Sequence, residues 1–187
     1  CFPEEIESCL PEWGPGQFEI NLRHADALSM ADTTVLFKTA IKQLAAMKGY
    51  SATFMAKLHE DHSGNSGHIH QSLCDGETGE SLFYDPSTSD NMTDVFRHYL
   101  AGQYDLFRPG TIFLAPFVNS YKRFQLGSFA GVKRTWGYNN RTVSLRAIVD
   151  SPESARLEHR VGGADLNPYV AFAYLLGAGM RGIENTL

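Results

Sequence analysis

The chain has 187 residues, with 16 basic against 21 acidic side chains for a net charge of −5 and 43% hydrophobic residues, the composition of one compact globular domain. The acidic balance and the lack of a basic run exclude nucleic acid and an anionic membrane surface as main partners, since both need clustered Lys and Arg. No apolar stretch reaches the roughly 20 residues that span a bilayer, and Cys1-Phe2-Pro3-Glu4-Glu5-Ile6 lacks the charged-then-apolar pattern of a signal peptide. The expectation is a cytoplasmic protein. Cys1, Cys9 and Cys74 show no CxxC spacing, so they give neither a zinc motif nor a disulfide framework, and their odd number suits a reducing compartment. A start without Met, in mid-pattern, points to an internal piece of a longer chain.

Repeats and low-complexity segments are absent from the sequence, so one domain is the simplest organisation. In chain order, a strand is expected over residues 17–22, then a helix over 32–48 with Val35, Ile41, Leu44, Ala45 and Met47 facing the core and Gly49 as its stop. Strands follow over 52–55 and 67–73. A second helix over 91–101 opens after Asp90 and ends at Gly102, with Val95, Tyr99 and Leu106 forming a stripe that continues into Phe107. A loop through Arg108-Pro109-Gly110 comes next, then strands over 142–148 and 156–161. The last helix, 169–183, is almost wholly apolar and so buried on most sides, with Asn167 as its cap and Pro168 at its first position. Strands and helices do not alternate as βα units, which favours an α+β fold, an antiparallel or mixed sheet with helices on one side.

Three runs could carry chemistry. In Glu12-Trp13-Gly14-Pro15-Gly16-Gln17-Phe18-Glu19 a Gly-Pro-Gly turn can bring two carboxylates to one point, with Gln17, Glu19 and Asn21 on one strand face. A hairpin with solvated acids is the plainer reading. In Gly64-Asn65-Ser66-Gly67-His68-Ile69-His70-Gln71-Ser72-Leu73, His68, His70 and Ser72 share a strand face behind a glycine-rich approach that lets backbone come close to a ligand. A histidine pair alone is more often structural, and no GxxxxGK[ST] loop is present. The third set is Arg123, Arg141, Arg146 and then Arg156, Glu158 and Arg160, the last three on one face of a strand. These residues form either an exposed salt-bridge ladder of little energetic worth or a site in which Glu158 holds a cation and the arginines grip phosphate or carboxylate oxygens. Carboxylates plus arginines are what phosphoryl transfer needs: hard ligands for Mg²⁺ or Mn²⁺, and fixed positive charge for oxygens that gain charge.

Taken in order, Glu-x₃-Gly-Gln-x-Glu, Gly-x₃-His-x-His-x-Ser, Asn-Ser-Tyr-Lys-Arg, Asn-Arg-Thr-x₃-Arg and Arg-x-Glu-x-Arg followed by Asn-Pro-Tyr resemble the catalytic domain of the glutamine synthetase family, from Glu7 to Glu184. The resemblance implies a curved antiparallel sheet backed by helices. It also makes residues 1–187 an incomplete catalytic domain that lacks the N-terminal β-grasp domain and the first catalytic strand with further metal carboxylates. Carried over, Glu12 and Glu19 match ligands of a first divalent ion and His68 and Glu158 ligands of a second. Arg123, Arg160 and the Gly64 backbone match glutamate-binding positions. Arg141, Arg146 and Arg156 match positions on the ATP phosphates, with Arg141 and Arg146 catalytic, and Glu7, His70 and Ser72 match nucleotide contacts. The implied partners are glutamate, ATP, an amine and further copies of the chain in a homo-oligomeric ring, a dodecamer; alone, the chain is expected to bind metal weakly and turn over little.

Departures from the pattern suggest the amine. Ammonia-using members generally carry His-His before the first metal glutamate and a flap glutamate, where this chain has Leu10-Pro11 and Phe129. An aromatic ring in place of a carboxylate removes the attraction for ammonium and leaves apolar surface for a bulkier amine. The segment Gly127-Ser128-Phe129-Ala130 and then Thr135-Trp136-Gly137 likewise resembles the γ-glutamyl-polyamine and γ-glutamyl-amide synthetases. Glu153 stands where bacterial ammonia-using enzymes often have a lysine near the nucleotide. A true glutamine synthetase and a structural relative without activity are the alternatives.

Overall fold

The computed structural model describes residues 6–187; Cys1, and the expectations that rest on it, lie outside this range. The first two strands, β1 (Ile6–Pro11) and β2 (Phe18–Leu22), form an antiparallel hairpin with Leu10 opposite Glu19 and Pro11 opposite Phe18. Gly16, at φ +67°, supplies the left-handed residue of the turn, which Glu12 N–H closes by donating to Gln17 O at 2.9 Å. Helix α1 (Ala27–Met47) begins earlier than expected because Asp26 caps it, accepting from the amides of Leu28 and Ser29.

The reading of α1 as core-facing is corrected. The helix buries Ala31 and Phe37, while Leu44 is 55% and Met47 81% exposed. Its apolar residues spread around too much of the helix circumference to bury against one neighbour. Lys38 nevertheless fastens α1 to the body, its Nζ donating to Ala164 O at 2.6 Å.

A four-stranded sheet follows, in the order β3 (Ile69–Gln71), β6 (Arg156–His159), β5 (Leu145–Ile148), β4 (Trp136–Tyr138). The β3–β6 and β6–β5 pairs are antiparallel and β4–β5 is parallel, so the sheet is mixed rather than wholly antiparallel. Residues 52–55 form no strand. Leu145, Ala147 and Leu157 face Phe83, Phe96 and Tyr99, the last two on α2 (Asp94–Asp105), and all six are buried. Arg146 and Glu158, one residue along each strand, therefore face the other way.

Two expected boundaries move for packing reasons. Gly102 does not end α2. It lies inside the helix, where a Cβ would sit 2.1 Å from Ala178 O of α5 (Pro168–Glu184). The expected loop at 108–110 is instead part of α3 (Phe107–Leu114). Pro109 falls in the first helical turn, where its missing N–H breaks no intrahelical bond, and Gly110 is there because Tyr174 packs where its Cβ would stand, 2.2 Å away. A one-turn helix, α4 (Val118–Tyr121), follows α3. α5 starts as expected, with Asn167 accepting from Tyr169 and Val170 N–H and Pro168 at its first position. It is less buried than expected, Tyr169, Val170 and Met180 being exposed. Among the described residues no helix is long and apolar enough to cross a membrane.

The α2–α5 crossing is the tightest point of the fold. A Cβ on Gly182 would lie 2.0 Å from His98 O, and one on Gly179 2.1 Å from the Tyr99 ring. Gly182→Val is expected to force the helices apart and destabilise the protein by about 3 kcal/mol or more, since backbone cannot yield as a side chain can. Chemical denaturation checks this; an unchanged midpoint would mean that the crossing is loose.

Candidate active site

Three neighbouring strands converge on one carboxylate. The register sets His70 of β3 and Arg146 of β5 on either side of Glu158 of β6. Glu158 is 2% exposed, and Arg160 is 5% exposed. Arg160 Nη1 donates to Glu158 Oε1 at 2.5 Å and Arg146 Nη1 to Oε2 at 3.1 Å. His68 Nδ1 stands 3.3 Å and His70 Nε2 3.8 Å from the same Oε1. Arg156 Nε donates to His70 Nδ1 at 3.0 Å, and Asn139 Oδ1 accepts from Arg146 Nη2 at 3.3 Å. An exposed salt-bridge ladder is thereby ruled out for Glu158, Arg146 and Arg160: their charges are enclosed, so any partner they gain is worth far more than at the surface.

The cluster has open valences. Among the described residues, His68 Nε2 is buried without a hydrogen-bond partner, as are the Nε atoms of Arg146, Arg160 and Arg123. Burial first, then the guanidinium groups of Arg160 and Arg123, hold the His68 imidazole well below the ordinary histidine range. It is neutral at neutral pH and has a lone pair to offer. With Nδ1 towards Glu158 Oε1, that lone pair lies on Nε2, an imidazole nitrogen of the kind that can ligate a divalent cation.

Arg123 is buried with both terminal nitrogens on backbone, Nη1 donating to Val161 O at 2.9 Å and Nη2 to Arg160 O at 3.2 Å. Burial lowers its pKa to about 10, which leaves it protonated. It therefore grips the strand end that carries Arg160. Its stem also explains Gly64, whose Cβ would stand 2.3 Å from Arg123 Cγ and 2.9 Å from Ala56 O. Gly64→Ala is expected to displace Arg123 and destabilise the protein by about 1–3 kcal/mol; a thermal midpoint matching the wild type would show that the loop yields freely.

The hairpin reaches this cluster through Gln17, whose Nε2 donates to Gly64 O at 3.0 Å and Asn65 Oδ1 at 2.7 Å. Glu19 accepts from Asn21 Nδ2 at 3.0 Å, and Glu12, exposed at the turn, accepts from Trp13 N–H. Among the described residues no group of three or more His, Cys, Asp or Glu side chains is placed to hold a metal ion, so Glu12 and Glu19 do not join His68 and Glu158 in one shell. Glu7, Ser72 and Arg141 are exposed and make no side-chain hydrogen bond or ion pair among the described residues. Asn139 and the Gln17 tether were not singled out as site residues in the sequence. Asn139, at φ +46°, has no spacing signature, and a tether across 47 residues is set by tertiary contact. Phe129, 57% exposed at φ +56°, lies on the loop bounded by Gly127 and Gly131 and lines a cavity of about 150 Å³. Leu10 is exposed on β1, and Glu153 is exposed.

The family model "Glutamine synthetase, catalytic domain" matches residues 3–187. The chain belongs to the glutamine synthetase family. Its relatives include a glutamate–isopropylamine ligase of a Pseudomonas species, 44% identical over 97% of this chain and 39% of that protein. A γ-glutamylethanolamide synthetase of Streptomyces coelicolor is 46% identical over 97% of this chain and 38% of its own length. A type-1 glutamine synthetase of Dictyostelium discoideum is 42% identical over 100% of this chain and 36% of its own. The chain thus spans well under half the length of these relatives.

Proposed function

We propose that the protein carrying this chain is an ATP-dependent γ-glutamyl ligase that joins glutamate to an amine larger than ammonia. The observation that carries this reading is the enclosed Glu158, clamped by Arg146 and Arg160 beside the unpartnered Nε2 of His68. Membership of the family, which uses ATP and divalent metal, supports it. So do two relatives whose names specify glutamate joined to isopropylamine and to ethanolamine.

In this reading a glutamate side-chain oxygen attacks the γ-phosphorus of ATP, a new O–P bond forms, and ADP leaves with the old bridging oxygen. The amine nitrogen then attacks the acyl carbon of γ-glutamyl phosphate, phosphate departs and the nitrogen loses a proton. A carboxylate oxygen is a poor leaving group until it is phosphorylated, which is why ATP is needed. Mg²⁺ or Mn²⁺, two or more per site, would supply positive charge that offsets the phosphate oxygens. His68 and Glu158 would hold one such ion and Glu12 and Glu19 another. Arg146, Arg141 and Arg156 face the ATP phosphates, and Glu7, His70 and Ser72 the rest of the nucleotide. Arg160 and the Gly64 backbone bind glutamate; Arg123, expected to bind it too, has both terminal nitrogens on backbone and instead fixes the strand end beneath Arg160. The working form is a homo-oligomeric ring, a dodecamer.

The test is phosphate release by the whole protein with ATP, Mg²⁺ and glutamate, comparing ammonium with mono-, di- and polyamines and weighing the products by mass. A γ-glutamyl-amide product with little turnover of ammonium is expected. Preference for ammonium would make it a glutamine synthetase, and silence with every amine a structural relative.

A further inference from the structure

A second cleft lies where the end of α2 and the start of α3 meet residues 131–134. Its volume is about 540 Å³, within the range of small-molecule sites. Arg108, Lys133 and Arg134 line it together with Tyr104, Phe107 and Tyr121, and none of the residues around Glu158 does. All three cations are exposed, and none makes an ion pair or side-chain hydrogen bond among the described residues. Asp105, next in sequence to Tyr104, is engaged by Arg181 at 2.9 Å. The Arg134 guanidinium stacks 4.6 Å from the centre of the Tyr104 ring, which holds it at the rim. In a chain with a net charge of −5, three unneutralised cations around an aromatic cavity form a local field of the opposite sign.

We propose that this cleft binds an organic anion with a planar ring, an aromatic carboxylate. The rings of Tyr104, Phe107 and Tyr121 take the flat apolar body, and the guanidinium groups of Arg108 and Arg134 take the carboxylate oxygens as paired N–H donors. Lys133 adds charge without fixing orientation. This inference does not rest on the ligase reading, because no group of the Glu158 cluster takes part.

The experiment is isothermal titration of the whole protein, with glutamate and a non-hydrolysable ATP analogue saturating the Glu158 site, using indole-3-acetate as the probe. One equivalent per chain is expected, while neutral indole-3-acetamide and ringless acetate each bind at least about 10-fold more weakly. The double variant Arg108→Gln, Arg134→Gln is expected to lose at least about 10-fold in affinity. Thr111→Trp, which fills the cleft and removes no charge, gives the same loss by a route that does not depend on the arginines. Absence of binding, equal binding of acid and amide, or affinity unchanged in Thr111→Trp would each overturn the proposal.

Discussion

Glu158→Ala is expected to reduce amine-dependent phosphate release by the whole protein by about 10³-fold. Among the described residues Glu158 is the one carboxylate paired with both Arg146 and Arg160, and it also faces His68. Its removal deletes a proposed metal ligand and leaves two guanidinium groups enclosed without a counter-charge. Stranding the partners of a buried ion pair typically costs about 3–5 kcal/mol, so a loss of activity in the alanine variant alone could reflect unfolding. Glu158→Gln separates the two effects. The amide keeps the shape and one acceptor oxygen for the guanidinium groups, but it cannot supply the charge that a divalent cation needs. The glutamine variant should therefore stay folded by circular dichroism, lose turnover nearly as fully as the alanine variant, and require far more Mg²⁺ for what remains. A folded Glu158→Gln protein with wild-type turnover and Mg²⁺ dependence would reduce the cluster to a structural ion network.

How much of this site could be read in the sequence depends on the range of the contact. Period-two alternation put Arg156, Glu158 and Arg160 on one face, and the structure keeps them there. What alternation cannot give is which residues of other strands stand opposite. The pairing of Glu158 with His70 and with Arg146 is a matter of register between residues 88 and 12 apart in the chain, and register is decided by the core on the far face, where Leu157 meets Ala147 and Gln71. The caps of α5 were legible because Asn167 and Pro168 act locally. Gly102 and Gly110 mislead for the converse reason, since both lie inside helices. A glycine admitted for close packing looks, in one dimension, the same as one that stops a helix, and only the positions of Ala178 and Tyr174 tell them apart. The exposed face of α1 follows the same logic, since an apolar residue predicts burial only where a partner surface exists.

Phe129→Glu is expected to shift the ratio of kcat/KM for ammonium over that for a bulky amine by about 10- to 100-fold towards ammonium. The substitution suits the test because the backbone is not a confounder. Phe129 already holds a left-handed φ of +56°, a conformation no easier for phenylalanine than for glutamate, so the exchange adds little strain. Phe129 is also 57% exposed, and losing the ring leaves no core cavity to destabilise the fold. What changes is the chemistry of the loop that lines the adjoining cavity. An apolar ring that can lie against an alkyl chain becomes a carboxylate that attracts a small cation and disfavours an apolar one. The bulky amine should lose chiefly through a higher KM, because the ring's contribution is binding, whereas ammonium should gain through a lower KM. If the loop were mere packing, Phe129→Glu would leave the ratio unchanged, and selectivity for the amine would have to be sought at Leu10 and Pro11, on the hairpin that Gln17 ties to the Gly64 loop.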